Sequence, residues 1–162
     1  MVFSSIPFLF FFLPLCLILY FAVPFSWKNG ILLIFSLIFY AWGEPVYILL
    51  MLFASAVDYC NGLLMERYGT TRGKRRIFLA CSVSINLSVL AFFKYADFLI
   101  ATVNSLLGTA FSPLGLGLPV GISFFTFQTM SYIIDLYRRE VPAEKNYFTY
   151  LTYVSMFPQL VA

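Results

Sequence analysis

Six runs of this chain, residues 1–27, 29–43, 45–57, 77–93, 98–134 and 146–162, contain no Asp, Glu, Lys or Arg. About 17 to 25 predominantly apolar residues cross a bilayer as an α-helix, and in hydrocarbon a backbone satisfies its polar groups only in helices or closed barrels. A barrel would need short strands alternating between a lipid face and a polar lumen, and these runs are too uniformly apolar for that. They predict an all-α, polytopic transmembrane protein with about five or six membrane segments. Charged residues make up only 10% of the chain, against about a quarter in soluble domains, which excludes an ordinary soluble enzyme. The net charge of +3 is concentrated in one stretch, so membrane lipids, and not nucleic acid, are the expected partners of the basic residues.

No basic residue precedes Lys28, so the first run reads as a retained span over residues 6–23 and not as a cleaved leader. Pro14 should kink it, with Ser4 or Ser5 and Pro7 forming its start. Residues 30–42 make a short second span between Trp27 and Trp42 as interfacial anchors. After a turn at Glu44 and Pro45, residues 46–65 return across the membrane. This third span carries Asp58 and Asn61 at i,i+3, with Ser55 on the same side. A carboxylate within a span either organises helix packing or lies on a substrate path.

Residues 66–76, ERYGTTRGKRR, hold five basic side chains and read as a cytoplasmic loop facing anionic headgroups. By alternation, the N-terminus and Glu44 lie outside and residues 77–93 cross outward. Ser82 and Asn86, at i,i+4 in that span, are expected to hydrogen-bond to neighbouring helices, and Lys94, Tyr95 and Asp97 mark the outer interface. Residues 98–111 either cross or lie along the membrane. The second option returns Arg138, Arg139 and Lys145 to the cytoplasm, as the distribution of positive charge prefers. Between them, residues 112–121, SPLGLGLPVG, predict broken helix at membrane depth, and residues 146–162 begin a further span. Cys16, Cys60 and Cys81 lack CxxC spacing and read as buried small hydrophobes, with no metal site.

Residues 118–139, LPVGISFFTFQTMSYIIDLYRR, are the strongest candidate for the wall of a functional site. A helix here brings Gln128, Ser131, Asp135, Arg138 and Arg139 to one side, and that face needs a protein interior or a wet cavity. Asp135 is spaced to pair with Arg139, and Tyr132 and Tyr137 are expected in packing or at the interface. Gln128, Ser131 and Asp135 are the substrate-path candidates, and Asp58 and Asn61 form a second group. From the residues alone three classes stay open: a membrane enzyme, a secondary transporter built on broken helices, and a non-catalytic membrane scaffold.

Three motifs carry a resemblance: MVFSS followed by FLFFFLP at residues 8–14, FKYADF at residues 93–98, and LPVGISFFTFQTMSYIIDLYR at residues 118–138. With the closing MFPQLVA at residues 156–162, they resemble the membrane-bound O-acyltransferase family, in its branch of alginate O-acetyltransferase membrane subunits and relatives acting on peptidoglycan or teichoic acid. The resemblance implies that residues 1–162 are the N-terminal portion of one integral-membrane acyltransferase domain shaped as a helical funnel in a bacterial inner membrane. It implies an acyl donor such as acetyl-CoA used as substrate, with no permanently bound cofactor. The implied partners are a cell-envelope polysaccharide acceptor and periplasmic or extracellular acetyl-transfer proteins. The family's catalytic histidine has no counterpart in these residues, so no catalytic residue is assigned here and the isolated chain is expected to be inactive.

Overall fold

The computed structural model describes residues 5–43, 45–108, 111–115 and 121–160. The expected turn residue Glu44, the cap candidate Ser4 and residues 116–120 of the Pro/Gly stretch lie outside them. Among the described residues the regular structure is entirely helical. Helix α1 (Leu13–Ala22) is entered through a π-helical turn at Phe8–Phe12, where the Leu13 N–H donates to the Phe8 carbonyl. Pro14 lacks an N–H and its ring crowds the preceding turn, and the widened turn lies directly before it. Ser5 does not cap the helix: its Oγ has no hydrogen-bond partner among the described residues.

Helix α2 (Phe25–Gly43) begins earlier than the short span anticipated and includes Lys28. The Lys28 ammonium lies 4.9 Å from the Tyr20 ring centroid, a contact that accommodates the cation near the junction with α1. The helix has 19 residues and rises about 28 Å, close to the hydrocarbon thickness. Trp27 and Trp42 are exposed near its two ends, as interfacial anchors would be.

Residues 66–76 do not form the expected loop. Glu66 and Arg67 complete α3 (Ile48–Tyr68), and Arg72 already opens α4 (Arg72–Leu107). Arg, Lys and Glu are good helix formers, and Thr71 caps α4 by accepting the Lys74 N–H, so the chain needs only a three-residue turn. A Cβ on Gly69 would lie 2.1 Å from the Met65 carbonyl oxygen and 2.7 Å from Arg75 Cγ. Glycine is what lets Arg75 fold back against this turn.

Helix α4 is 36 residues long, about 54 Å and well beyond one hydrocarbon thickness. Residues 98–107 therefore form neither a separate span nor a separate surface helix, because KYADF contains no breaker and the helix runs through it. It ends at Gly108, in the left-handed conformation with φ 65°. The chain then doubles back. Asn104 and Phe111 exchange two hydrogen bonds of 2.8 and 3.0 Å, and the Leu114 N–H donates to Asp97 Oδ1 at 2.8 Å. The non-helical break is present in the described residues 111–115, and α5 (Ile122–Arg138) starts from Gly121 at φ 80°.

Among the described residues three helices, α2, α3 and α4, are long and apolar enough to cross a membrane, and the 8–22 segment is a shorter apolar helix. Helices α3, α4 and α5 each pack on the other two, while α2 packs on α1, α6 (Tyr147–Ser155) and α7 (Phe157–Leu160). Phe8, Phe12, Phe35, Phe39 and Phe157 join α1, α2 and α7 through ring contacts of 5.2–5.9 Å. Large side chains such as Phe10, Phe11, Phe21, Phe25, Phe53 and Phe98 point outward. An apolar exterior on an apolar core is what lipid permits. It also explains why Cys60 and Cys81 are exposed and only Cys16 is buried: an apolar side chain in such a protein need not face inward. The chain is a multi-pass membrane protein.

Candidate functional site

Asp58, in the middle of α3, is fully buried. Its carboxylate accepts the Ser82 hydroxyl and, at 2.7 Å, the Asn86 amide, both from α4. Asn86 Nδ2 also donates to the Ser82 carbonyl at 3.0 Å. Helix α5 closes the cluster. Thr129 Oγ1 lies 3.4 Å from Asn86 Oδ1 and donates to the Thr126 carbonyl at 3.0 Å. Ser82, Asn86, Thr126 and Thr129 are all buried. The interhelix bonds expected of Ser82 and Asn86 are thus formed, and their acceptor is the intramembrane carboxylate itself. Asn61 is half-buried and outside this network. Ser55 turns to a different neighbour, with its Oγ 3.0 Å from the Tyr147 hydroxyl of α6. Thr126 and Thr129 were legible as polar residues in an apolar helix, but not as a buried face opposite the one singled out.

The other face of α5 meets α6 and α7. Gln128 Nε2 donates to the Tyr153 carbonyl and to Gln159 Oε1, each at 2.6 Å. Ser131 Oγ donates to the Gln128 carbonyl at 3.0 Å and lies 3.4 Å from the Tyr153 hydroxyl. The structure therefore places these two candidates in helix-to-helix bonding. Asp135 differs. With Tyr132, Val141, Pro142, Glu144, Thr149, Tyr150 and Tyr153 it lines a cleft of about 410 Å³ between α5 and α6. The Tyr132 and Tyr150 rings meet at 4.8 Å, so one wall of the cleft is aromatic and two carboxylates stand beside it.

The expected pairing of Asp135 with Arg139 is not made. Arg139 leaves the helix in the left-handed conformation at φ 65°, while the Arg139 and Glu140 N–H groups both close on the Asp135 carbonyl. That reversal carries the guanidinium away from the face it would have shared with Asp135. The connection from α5 to α6 is held against α3, where Glu66 accepts the Ala143 N–H and Tyr59 donates to the Lys145 carbonyl at 2.6 Å, and against α5 itself, where Tyr132 accepts the Glu144 N–H at 2.9 Å. Tyr132 therefore combines packing with lining of the cleft. Glu144, Tyr150 and Tyr153 were not anticipated, because they reach the cleft through tertiary contact and show no periodic pattern of their own.

Asp58→Ala leaves the Ser82 hydroxyl and the Asn86 amide without their acceptor in a buried site. The expected loss is about 1–3 kcal/mol, since leaving a buried donor unpaired costs that much while interhelix bonds in membranes average somewhat less. Thermal unfolding of the purified protein in detergent should show a clearly lowered midpoint for Asp58→Ala and a much smaller change for Asp97→Ala, whose carboxylate only ties down a surface loop. Equal midpoints for the Asp58 variant and the unaltered protein would show that the network does not hold the helices.

The chain is similar over its full length to several curated proteins. It is 40% identical to the probable alginate O-acetylase AlgI of Pseudomonas aeruginosa and 38% identical to that of Azotobacter vinelandii. It is 30% identical to the peptidoglycan O-acetyltransferase of Helicobacter pylori. All of this chain is covered in each alignment, against 32%, 33% and 36% of the respective relatives, so it spans about a third of their length. No family model and no solved structure matches it. On this continuous similarity, carried by an all-helical membrane bundle, the chain resembles one third of the alginate O-acetylase-like branch of the membrane-bound O-acyltransferases.

Proposed function

We propose that these residues form the N-terminal wall of a membrane O-acetyltransferase domain that moves an acetyl group onto hydroxyls of an exported cell-envelope polysaccharide, alginate being one such acceptor. The observation that carries this reading is the uninterrupted similarity to relatives named as O-acetylases of alginate and peptidoglycan. A sugar hydroxyl is a poor nucleophile near neutral pH and needs a positioned base, for which imidazole is well suited. These 162 residues contain no histidine, so the base is assigned to another part of the protein. The work of this portion is to shape the passage: Gln128 and Ser131 fix α6 and α7 against α5, and Asp135 faces the aromatic cleft that they hold open.

In this reading the donor is an acyl thioester such as acetyl-CoA, bound only as a substrate, and the product leaves with the polysaccharide or through a periplasmic acetyl-transfer partner. The location is a bacterial inner membrane. The end of the bundle carrying Arg72, Arg75, Arg138 and Arg139 faces the cytoplasm, because basic residues flanking spans are retained on that side.

Two measurements test the proposal. In cells where this gene is the sole source of acetyl transfer, Asp135→Asn in the full-length protein should lower acetyl ester on the exported polysaccharide about tenfold at equal membrane abundance, equivalent to roughly 1.4 kcal/mol of lost transition-state stabilisation. Unchanged acetylation would remove Asp135 from the passage. For orientation, single cysteines replace Thr71, just before α4, and Ser112, in the segment that folds back along the other end of α4, in a background lacking Cys16, Cys60 and Cys81. A membrane-impermeant thiol reagent applied to spheroplasts should label position 112 and spare position 71, and the reverse result would invert the topology.

A further inference from the structure

We propose that the cleft between α5 and α6 seats a cationic side chain, a guanidinium or an ammonium, carried by the part of the polypeptide that lies outside these 162 residues. The cleft, of about 410 Å³, combines the carboxylates of Asp135 and Glu144 with the side chains of Tyr132, Tyr150 and Tyr153. Two of those hydroxyls are already engaged: Tyr132 accepts the Glu144 N–H at 2.9 Å, and the Tyr153 hydroxyl lies 3.4 Å from Ser131 Oγ. What the wall has left to offer is aromatic face and negative charge. A cation is the complement of both, since the ring quadrupole attracts it and a carboxylate pairs with it. An anionic group would meet two like charges here.

No basic side chain among the described residues supplies that charge. Arg139 is turned away at the end of α5 and borders other clefts. Arg138 stands toward Glu140 at 3.9 Å, and Lys145 is exposed and does not line the cleft. Glu144 accepts only the Asn146 N–H, at 2.9 Å, and the Asp135 carboxylate has no ion pair or hydrogen bond among the described residues. Asp135 lies between Ile134 and Leu136, and an unpaired carboxylate in apolar surroundings is costly. The occupant follows from chain length. The aligned region covers 32–36% of the relatives, so about two thirds of each lies in other segments. A side chain on such a segment reaches the cleft at high effective concentration, without the association cost that a free cation bears. The proposal deepens the reading of the cleft as part of the passage and rests on it only for the effect of Asp135 on transfer. Its own readout is protection of the cleft, so either can fail alone.

The full-length protein, with every native cysteine replaced, receives a single cysteine at Thr149, which lines the cleft from α6. It is purified in neutral detergent without polyamines and treated with a cationic trimethylammonium or an anionic sulfonate methanethiosulfonate. Each rate is divided by that at the exposed position Ser112→Cys. The expected result is reaction at Thr149→Cys at least about tenfold slower than at Ser112→Cys with both reagents, restored with both by Asp135→Asn/Glu144→Gln. A cysteine at the fully buried Ser155 stays unreactive in that variant if the fold is kept. Should it react as well, Glu144→Gln alone, outside any helix, makes the comparison under the same criterion. Fast reaction at Thr149→Cys with the carboxylates intact marks an open cleft and overturns the proposal, above all with a cationic preference of about tenfold or more. Protection indifferent to the carboxylates marks a filling that does not use charge, and protection seen in membranes but lost on purification marks a separate molecule. Either result overturns it too.

Discussion

The bundle depends on one buried carboxylate. A charge-bearing group at the centre of an apolar helix is costly unless donors surround it, and Asp58 obtains them from Ser82 and Asn86, one helical turn apart on α4. Those bonds fix how α3 and α4 are rotated about their axes. Thr129 then sets α5 against the same cluster, and Gly62 lets it approach closely, since an added Cβ there would meet Leu136 and Tyr132 at 3.2 and 3.3 Å. In a membrane the apolar effect does not choose which side of a helix faces inward, so small residues and polar contacts carry that choice.

Once α5 is turned so that Thr126, Thr129, Ile133 and Leu136 are buried, its remaining polar side chains have only one place to go. Gln128, Ser131 and Asp135 face α6, and the first two bind it while the third is left at the open cleft. The same placement brings the end of α5 to the start of α4, so that Arg75 reaches Leu136 and the arginines converge. The cleft and the basic end are thus two outcomes of one packing arrangement.

Much of this was legible in the residues because membrane sequences carry few polar groups and each one must be accounted for. The uncharged runs gave the class, and the spacing of Ser82 and Asn86 gave their interhelix role. Helix boundaries were harder to read. The charges at 66–76 resembled a loop and those at 94–97 the end of a span at the outer interface, yet Lys, Arg and Glu extend helices readily, so α3 and α4 run through or up to them and end at Gly69 and Gly108. The Asp135 to Arg139 pair failed because helix spacing holds only while the helix lasts. The Arg75 contact with α5 and the cleft tyrosines of α6 were invisible, since long-range packing alone brings them there.

The central claim is that Asp58 and Asn86 act as one unit joining α3 to α4. A double-mutant cycle of Asp58→Ala and Asn86→Ala, measured by equilibrium unfolding of the purified full-length protein in detergent, isolates that coupling. The account predicts an interaction energy of about 0.5–3 kcal/mol, with the double variant markedly less destabilised than the sum of the singles. Additivity within about 0.3 kcal/mol, the behaviour of distant independent sites, would contradict it.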